Sequence, residues 1–81
     1  MTNVIVEDNA TKKAIGFGVK KKFDKQIGFL KTNTNHTSLD FKPLQGSKGM
    51  LWRFRINKHY WGFTLKPASN TIRVYDVDMH L

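Results

Sequence analysis

The chain has 81 residues, no cysteine and a formal net charge of +8, from fourteen Lys and Arg against six Asp and Glu. That length suits one domain, 1–81, with a small core, and the lack of thiols excludes a disulfide framework or thiolate metal site and suits a reducing cytoplasm. Apolar runs of only a few residues argue against a signal peptide or membrane span, while the charge steers the chain toward phosphate-rich partners, anionic membranes or an acidic protein, against the plainer reading that excess Lys only keeps a small protein soluble.

In chain order, "TNVIVED" opens with three consecutive β-branched residues, Val4, Ile5 and Val6, and predicts a short strand. Asp8 or Asn9 is placed to cap a helix beginning near Ala10. Val19, Phe23, Ile27 and Leu30 then recur at helical spacing on one face, with Lys20, Lys21, Lys22 and Lys25 on the rest. Gly16 and Gly18 divide this region into a short and a longer helix. Asn33 and Asn35 end the second. "HTSLDFKPLQGSKG" reads as a connector, because Pro43 lacks a ladder donor and Gly46 and Gly49 permit bends.

Beyond Gly49 the period changes to two. Met50, Trp52, Phe54 and Ile56 alternate with Leu51, Arg53, Arg55 and Asn57, a half-buried strand with the arginines turned outward. A second strand runs from about Tyr60 to Lys66, "KPASN" is a turn, and "TIRVYDV" is a third strand. The expected fold class is α+β: a short N-terminal strand, two helices, then a three-stranded antiparallel sheet with the helices on one face. One parity stays open. A two-residue loop at Asn57–Lys58, or at Lys58–His59, puts Trp61 with Phe63 and Leu65 on the core face, whereas a three-residue loop or bulge swings Trp61 to the arginine side. Phe63 and Leu65 favour the two-residue loop and a Trp61 that is at least partly buried.

Arg53 and Arg55 share a strand face at about 7 Å spacing, which suits successive phosphates. Arg73 on the third strand extends the patch, Lys42, Lys48 and Lys58 lie in adjoining loops, and Tyr60 and Trp61 offer a stacking surface for a base. The competing reading is a solvated face whose arginine stems cover apolar surface; the cluster, in so basic a chain, favours binding. Among the histidines, His36 is expected to cap or pack and His59 to be exposed in a hairpin loop. His80, near Asp76 and Asp78 in the chain, is a candidate acid, since a histidine with its ordinary pKa could protonate a leaving alkoxide; the competing reading is an exposed terminal residue. The histidines are too scattered for a metal signature, and no phosphate loop, nucleophile elbow or dinucleotide fingerprint is present, so neither metal nor cofactor is expected.

"HTSLDFKPLQG", "WRFRIN", "HYW" and "VDMHL", in this order and spacing, resemble the RelE/ParE superfamily of toxins from bacterial type II toxin–antitoxin systems. The resemblance covers the last half well and the helical half more loosely. It implies a cytoplasmic toxin whose basic sheet face meets RNA on the ribosome, cleaving mRNA and inhibiting translation, or in ParE-like members an inhibitor of DNA gyrase. It also implies an acidic antitoxin as partner. Position by position, it puts Arg53 and Arg55 at the scissile phosphate and His80 as acid or phosphate ligand, with Tyr60 and Lys42 in support. Two positions depart from the pattern: Trp61 stands where the family keeps an arginine, and Lys42 where some members place a carboxylate base. These departures keep a second reading alive, a non-catalytic member that only binds an antitoxin or nucleic acid.

Overall fold

The computed structural model describes residues 2–79. The elements are β1 (Asn3–Val6), α1 (Asp8–Gly16), α2 (Lys20–Thr32), β2 (Lys42–Pro43), β3 (Leu51–Arg55), β4 (Tyr60–Leu65) and β5 (Thr71–Met79). The α+β class and the two helices are as expected, but the three-stranded sheet is not. The sheet has five strands in the order β1-β5-β4-β3-β2. β1 runs parallel to β5, Asn3 opposite Thr71 and Val6 opposite Val74. The connector supplies β2, which pairs antiparallel with β3 at Lys42–Arg53 and Pro43–Trp52. Two residues are too few to show a period, and a proline without a donor is tolerated on an edge strand.

The helical face works as its spacing predicts: Val19, Phe23, Ile27 and Leu30 are all buried, together with Phe54, Ile72, Val74 and Val77 from the sheet and Ile56 just past β3. Ala10 and Ala14, also buried, give α1 a smooth surface toward β5. α1 begins at Asp8, two residues before the expected start, and Glu7 precedes it without a side-chain cap. Asn9 lies inside the first turn and donates to the Tyr75 carbonyl and to Asp76 Oδ1, both at 3.2 Å. It ties the helix to β5 instead of capping it. Gly18, at φ 74, makes the left-handed turn between the helices that other residues adopt only at a cost.

β2 pairs only with Trp52 and Arg53, so the edge of β3 beyond them finds other partners. There the Arg55 N–H donates to the Leu39 carbonyl at 2.6 Å, and the buried Gln26 amide on α2 donates to the Arg55 carbonyl at 2.8 Å. The backbone carrying the basic pair is thus tied to the helix layer.

The hairpin parity resolves the other way from the two-residue expectation. Arg55 pairs with Trp61 and Arg53 with Phe63, and the Ile56 N–H donates to the Tyr60 carbonyl at 3.0 Å. The loop is therefore three residues, Asn57, Lys58 and His59. Asn57 Oδ1 closes it by accepting from the His59 and Tyr60 N–H groups at 2.8 and 3.0 Å. Trp61 is half-buried as expected, but it and Phe63 share the arginine face. β4 presents Tyr60, Gly62 and Thr64 to the helices, and the Phe54 ring lies directly over Gly62, where a Cβ would strike it. The large ring from β3 fills the space that β4 leaves empty.

Gly62→Ala is accordingly expected to destabilise the fold by about 1–3 kcal/mol through overpacking, read as a lowered urea midpoint at unchanged slope. The double variant Gly62→Ala/Phe54→Leu should lose less than the sum of the two single losses.

Candidate functional site

The site is built where the connector crosses the sheet edge. β2 sets Lys42 beside Arg53, and two residues earlier Asp40 takes a left-handed backbone, φ 47, which Asp tolerates better than most residues. Its carboxylate turns onto three of the predicted cations. Arg53 Nη1 donates to Asp40 Oδ2 at 3.1 Å, while Arg55 Nη2 and Lys42 Nζ stand 3.7 Å from its oxygens, near enough to attract but too far to bond. The Arg53 guanidinium also lies over the Trp61 ring, 3.9 Å from its centroid.

The two arginines therefore differ. Arg53 was expected to face solvent, yet its side chain is only 10 % exposed, wedged between Asp40 and Trp61, against 50 % for Arg55. The strand period gives the face correctly. The connector and Trp61 then cover half of it. Arg55 and Lys42 are about half exposed and accessible to a phosphate oxygen; Arg53 is fixed and lends mainly its charge.

Asp40 is held below the usual carboxylate range, first by the Arg53 hydrogen bond and then by the charges of Arg53, Lys42 and Arg55, with burial opposing. Because the folded chain then binds fewer protons than the unfolded one, stability gained through Asp40 is full above its ordinary value of 3.8 and is lost as pH falls through the lower folded value. Asp78 is lowered too, by the Met79 N–H and by Lys13, so the wild-type curve contains both. Asp40→Asn should flatten part of the acid-side loss of stability and leave the Asp78 part, measured as urea midpoints from about pH 6 down to about pH 3.

The other predicted residues divide. Lys48 and Lys58 are exposed in their loops. Arg73 sits across the sheet with Glu7 3.4 Å away, roughly two strand spacings from β3, and does not join the cluster. Tyr60, placed in support of the arginines, is on the opposite face, its ring 4.7 Å from that of Phe17. The register of the three-residue loop sends it there. His36 stacks on Phe29 at 3.8 Å and its Nδ1 lies 2.8 Å from Ser38 Oγ, so it packs as expected, and His59 is exposed. Asp76 and Asp78 both pair with Lys13 of α1, at 3.0 and 3.3 Å. His80, assigned as the acid, lies outside the described residues.

Beside the cluster runs an open groove of about 450 Å³, walled by Lys42 to Gln45 and floored by Arg53, Trp61 and Phe63, with Met79 at its end. Sequence reasoning missed Asp40 and the outward face of Phe63. Asp40 meets Arg53 across thirteen residues of connector, which no spacing rule reaches; for Phe63 the signal was Gly62, a residue with no side chain to offer a core.

No protein-family model matches the chain, and no curated protein matches its sequence. Solved structures do match. A YoeB/ParE toxin from Agrobacterium tumefaciens superposes with a TM-score of 0.73 at 14% identity, over 99% of this chain and 100% of that one. YoeB from the YoeB–YefM complex of Staphylococcus aureus gives 0.70 at 15%, covering 100% and 99%. YafQ from E. coli gives 0.70 at 14%, covering 99% and 94%. The resemblance read from short motifs thus extends to the whole backbone: the chain has the fold of the RelE/ParE-type toxins, from β1 to β5. Among the described residues no helix is long and apolar enough to cross a membrane.

Proposed function

We propose that this chain, as one domain, is the toxin of a type II toxin–antitoxin pair. In this reading it is a RelE-like endonuclease that cleaves mRNA on the ribosome in the cytoplasm and so inhibits translation. The observation that supports the reading is the basic cluster on this fold: Lys42, Arg53 and Arg55 gather around Asp40, and Lys42 and Arg53 also line a groove on the open sheet face. In RNA cleavage the adjacent 2′-hydroxyl, its proton passing to solvent, bonds to phosphorus to give a cyclic phosphate; negative charge builds on the phosphate and the 5′-oxygen leaves as an alkoxide. Arg55 and Lys42 would meet that charge and His80 would protonate the alkoxide, while Lys48 and Lys58 would attract the flanking backbone. The solved complexes of like-folded toxins, DinJ–YafQ and YoeB–YefM, support a cognate antitoxin as partner, and an acidic one would complement the charge of +8.

Purified protein with translating ribosomes and mRNA tests the reading. Cleavage of the bound message, lost in His80→Ala and Arg55→Ala, is expected; intact message overturns it. One observation favours a second reading, a non-catalytic or gyrase-inhibiting member: with Trp61 in the arginine's place and Arg53 bound into Asp40, the site has fewer free cations than the family pattern implies. Inhibition of DNA supercoiling without RNA cleavage would decide for it.

A further inference from the structure

The groove has a feature that phosphate binding leaves unused. Phe63 stands in the middle strand of the sheet, on the open face, with Arg53 opposite it on β3 and Asp76 opposite it on β5. Its ring borders two depressions, the groove beside Lys42 and a second of about 430 Å³ lined by Leu44, Tyr75, Asp76 and Asp78. The Trp61 ring is 6.5 Å away and inclined at 60°, so the two aromatics form a bent wall rather than a flat stack. Phe63, Trp61 and the exposed Met79 together make an apolar patch on the open face, and a contiguous patch rather than a lone aromatic is what marks a binding surface.

We propose that Phe63 is the stacking platform for a nucleobase, held in the groove on the Lys42 side while its phosphate reaches Arg55 and Lys42. The charge decides which depression is used. The second one carries Asp76 and Asp78, two carboxylates against the single Lys13 that pairs with both, which disfavours a phosphate, whereas the first carries Lys42 and Arg53 and has Gln45 in its lining to meet a base edge. A nucleotide brings a planar ring and an anion in one unit, which matches an aromatic ring and Lys42 on one groove with the half-exposed Arg55 two residues along β3 from Arg53. Stacking of this kind tolerates any base, so the platform holds the strand in register without reading its sequence. The inference rests on the RNA-directed reading of the same face but not on catalysis.

The test uses a Trp52→Phe protein, in which Trp61 is the remaining tryptophan, titrated with a short oligoribonucleotide and with an abasic oligomer of equal length and charge. Quenching of Trp61 emission by the first and not by the second is expected. Phe63→Leu, which keeps apolar bulk without a ring, should weaken oligonucleotide binding about tenfold and leave abasic binding within about twofold, at the same dependence on salt. Phe63→Tyr should restore the affinity. Circular dichroism confirms that each variant is folded. Equal affinity for the two oligomers, equal loss for both in Phe63→Leu, or a loss confined to an acidic protein partner would overturn the proposal. Base-dependent binding without message cleavage would sink the endonuclease reading alone; cleavage without base-dependent binding would sink the platform alone.

Discussion

Replacing Arg55 by Ala should reduce ribosome-dependent cleavage by about 10²- to 10³-fold, the usual cost of removing one preorganised donor from a developing anion, and barely change stability. The side chain is half exposed and stands 3.7 Å from Asp40, a pairing worth less than about 1 kcal/mol in solvent. Its backbone, not its guanidinium, is what the fold holds, through Leu39 and Gln26. Arg55→Lys should recover part of the rate, since it restores the charge without the two-pronged fork. Single-turnover cleavage beside a thermal melt separates the two effects. A variant that melts normally and cleaves normally would mean the phosphate is held elsewhere.

That Arg55 rather than Arg53 carries this expectation could not be read from the strand. Alternation gives both arginines the same face and says nothing about what else arrives there. The helical spacing from Val19 to Leu30 was legible because each of those residues needs only to face inward. β3 was legible for the same reason, and Lys42 does lie beside Arg53 and Arg55, with Asp40 offsetting the repulsion among the three cations. What failed depended on contacts between distant segments or on counts of one residue. β2 is two residues of a connector laid against Trp52 and Arg53, and β1 finds its partner some seventy positions away along the chain. The face of Trp61 turned on whether the loop holds two residues or three, and one Asn57 side chain fixes that number by accepting both the His59 and Tyr60 N–H groups. Leu65, 44 % exposed, and Phe63 suggested the wrong parity because they are apolar residues on a face that is open. A binding face that retains aromatics is hard to tell from a core face by hydropathy alone, and Gly62 under Phe54 was the one local mark of the true core side.

Arg53→Ala should fail in the opposite way from Arg55→Ala, by losing stability before it loses chemistry. The substitution empties a buried position, removes the cation from the Trp61 ring and deletes the hydrogen bond that holds Asp40. Breaking one side of a fully buried ion pair costs about 3 kcal/mol, which in a domain of this size would lower the melting temperature by roughly 12–24 °C and sets the upper bound here. The loss should stop short of that for a fully isolated charge, because Asp40 is 34 % exposed and still has Arg55 and Lys42 near it. Arg53→Met, which keeps the length of the stem against Trp61 and exchanges the charge for apolar contact, should be less damaging. In a double-mutant cycle with Asp40→Asn, the two losses should overlap, since each breaks the same bond; simple additivity would show that Arg53 is held by Trp61 and not by Asp40. Measured well below its lowered melting point, folded Arg53→Ala should retain more cleavage than Arg55→Ala. If instead Arg53→Ala is as stable as the wild type and as inactive as Arg55→Ala, Arg53 must leave Asp40 when RNA arrives, and the carboxylate then serves as the anion that the substrate displaces.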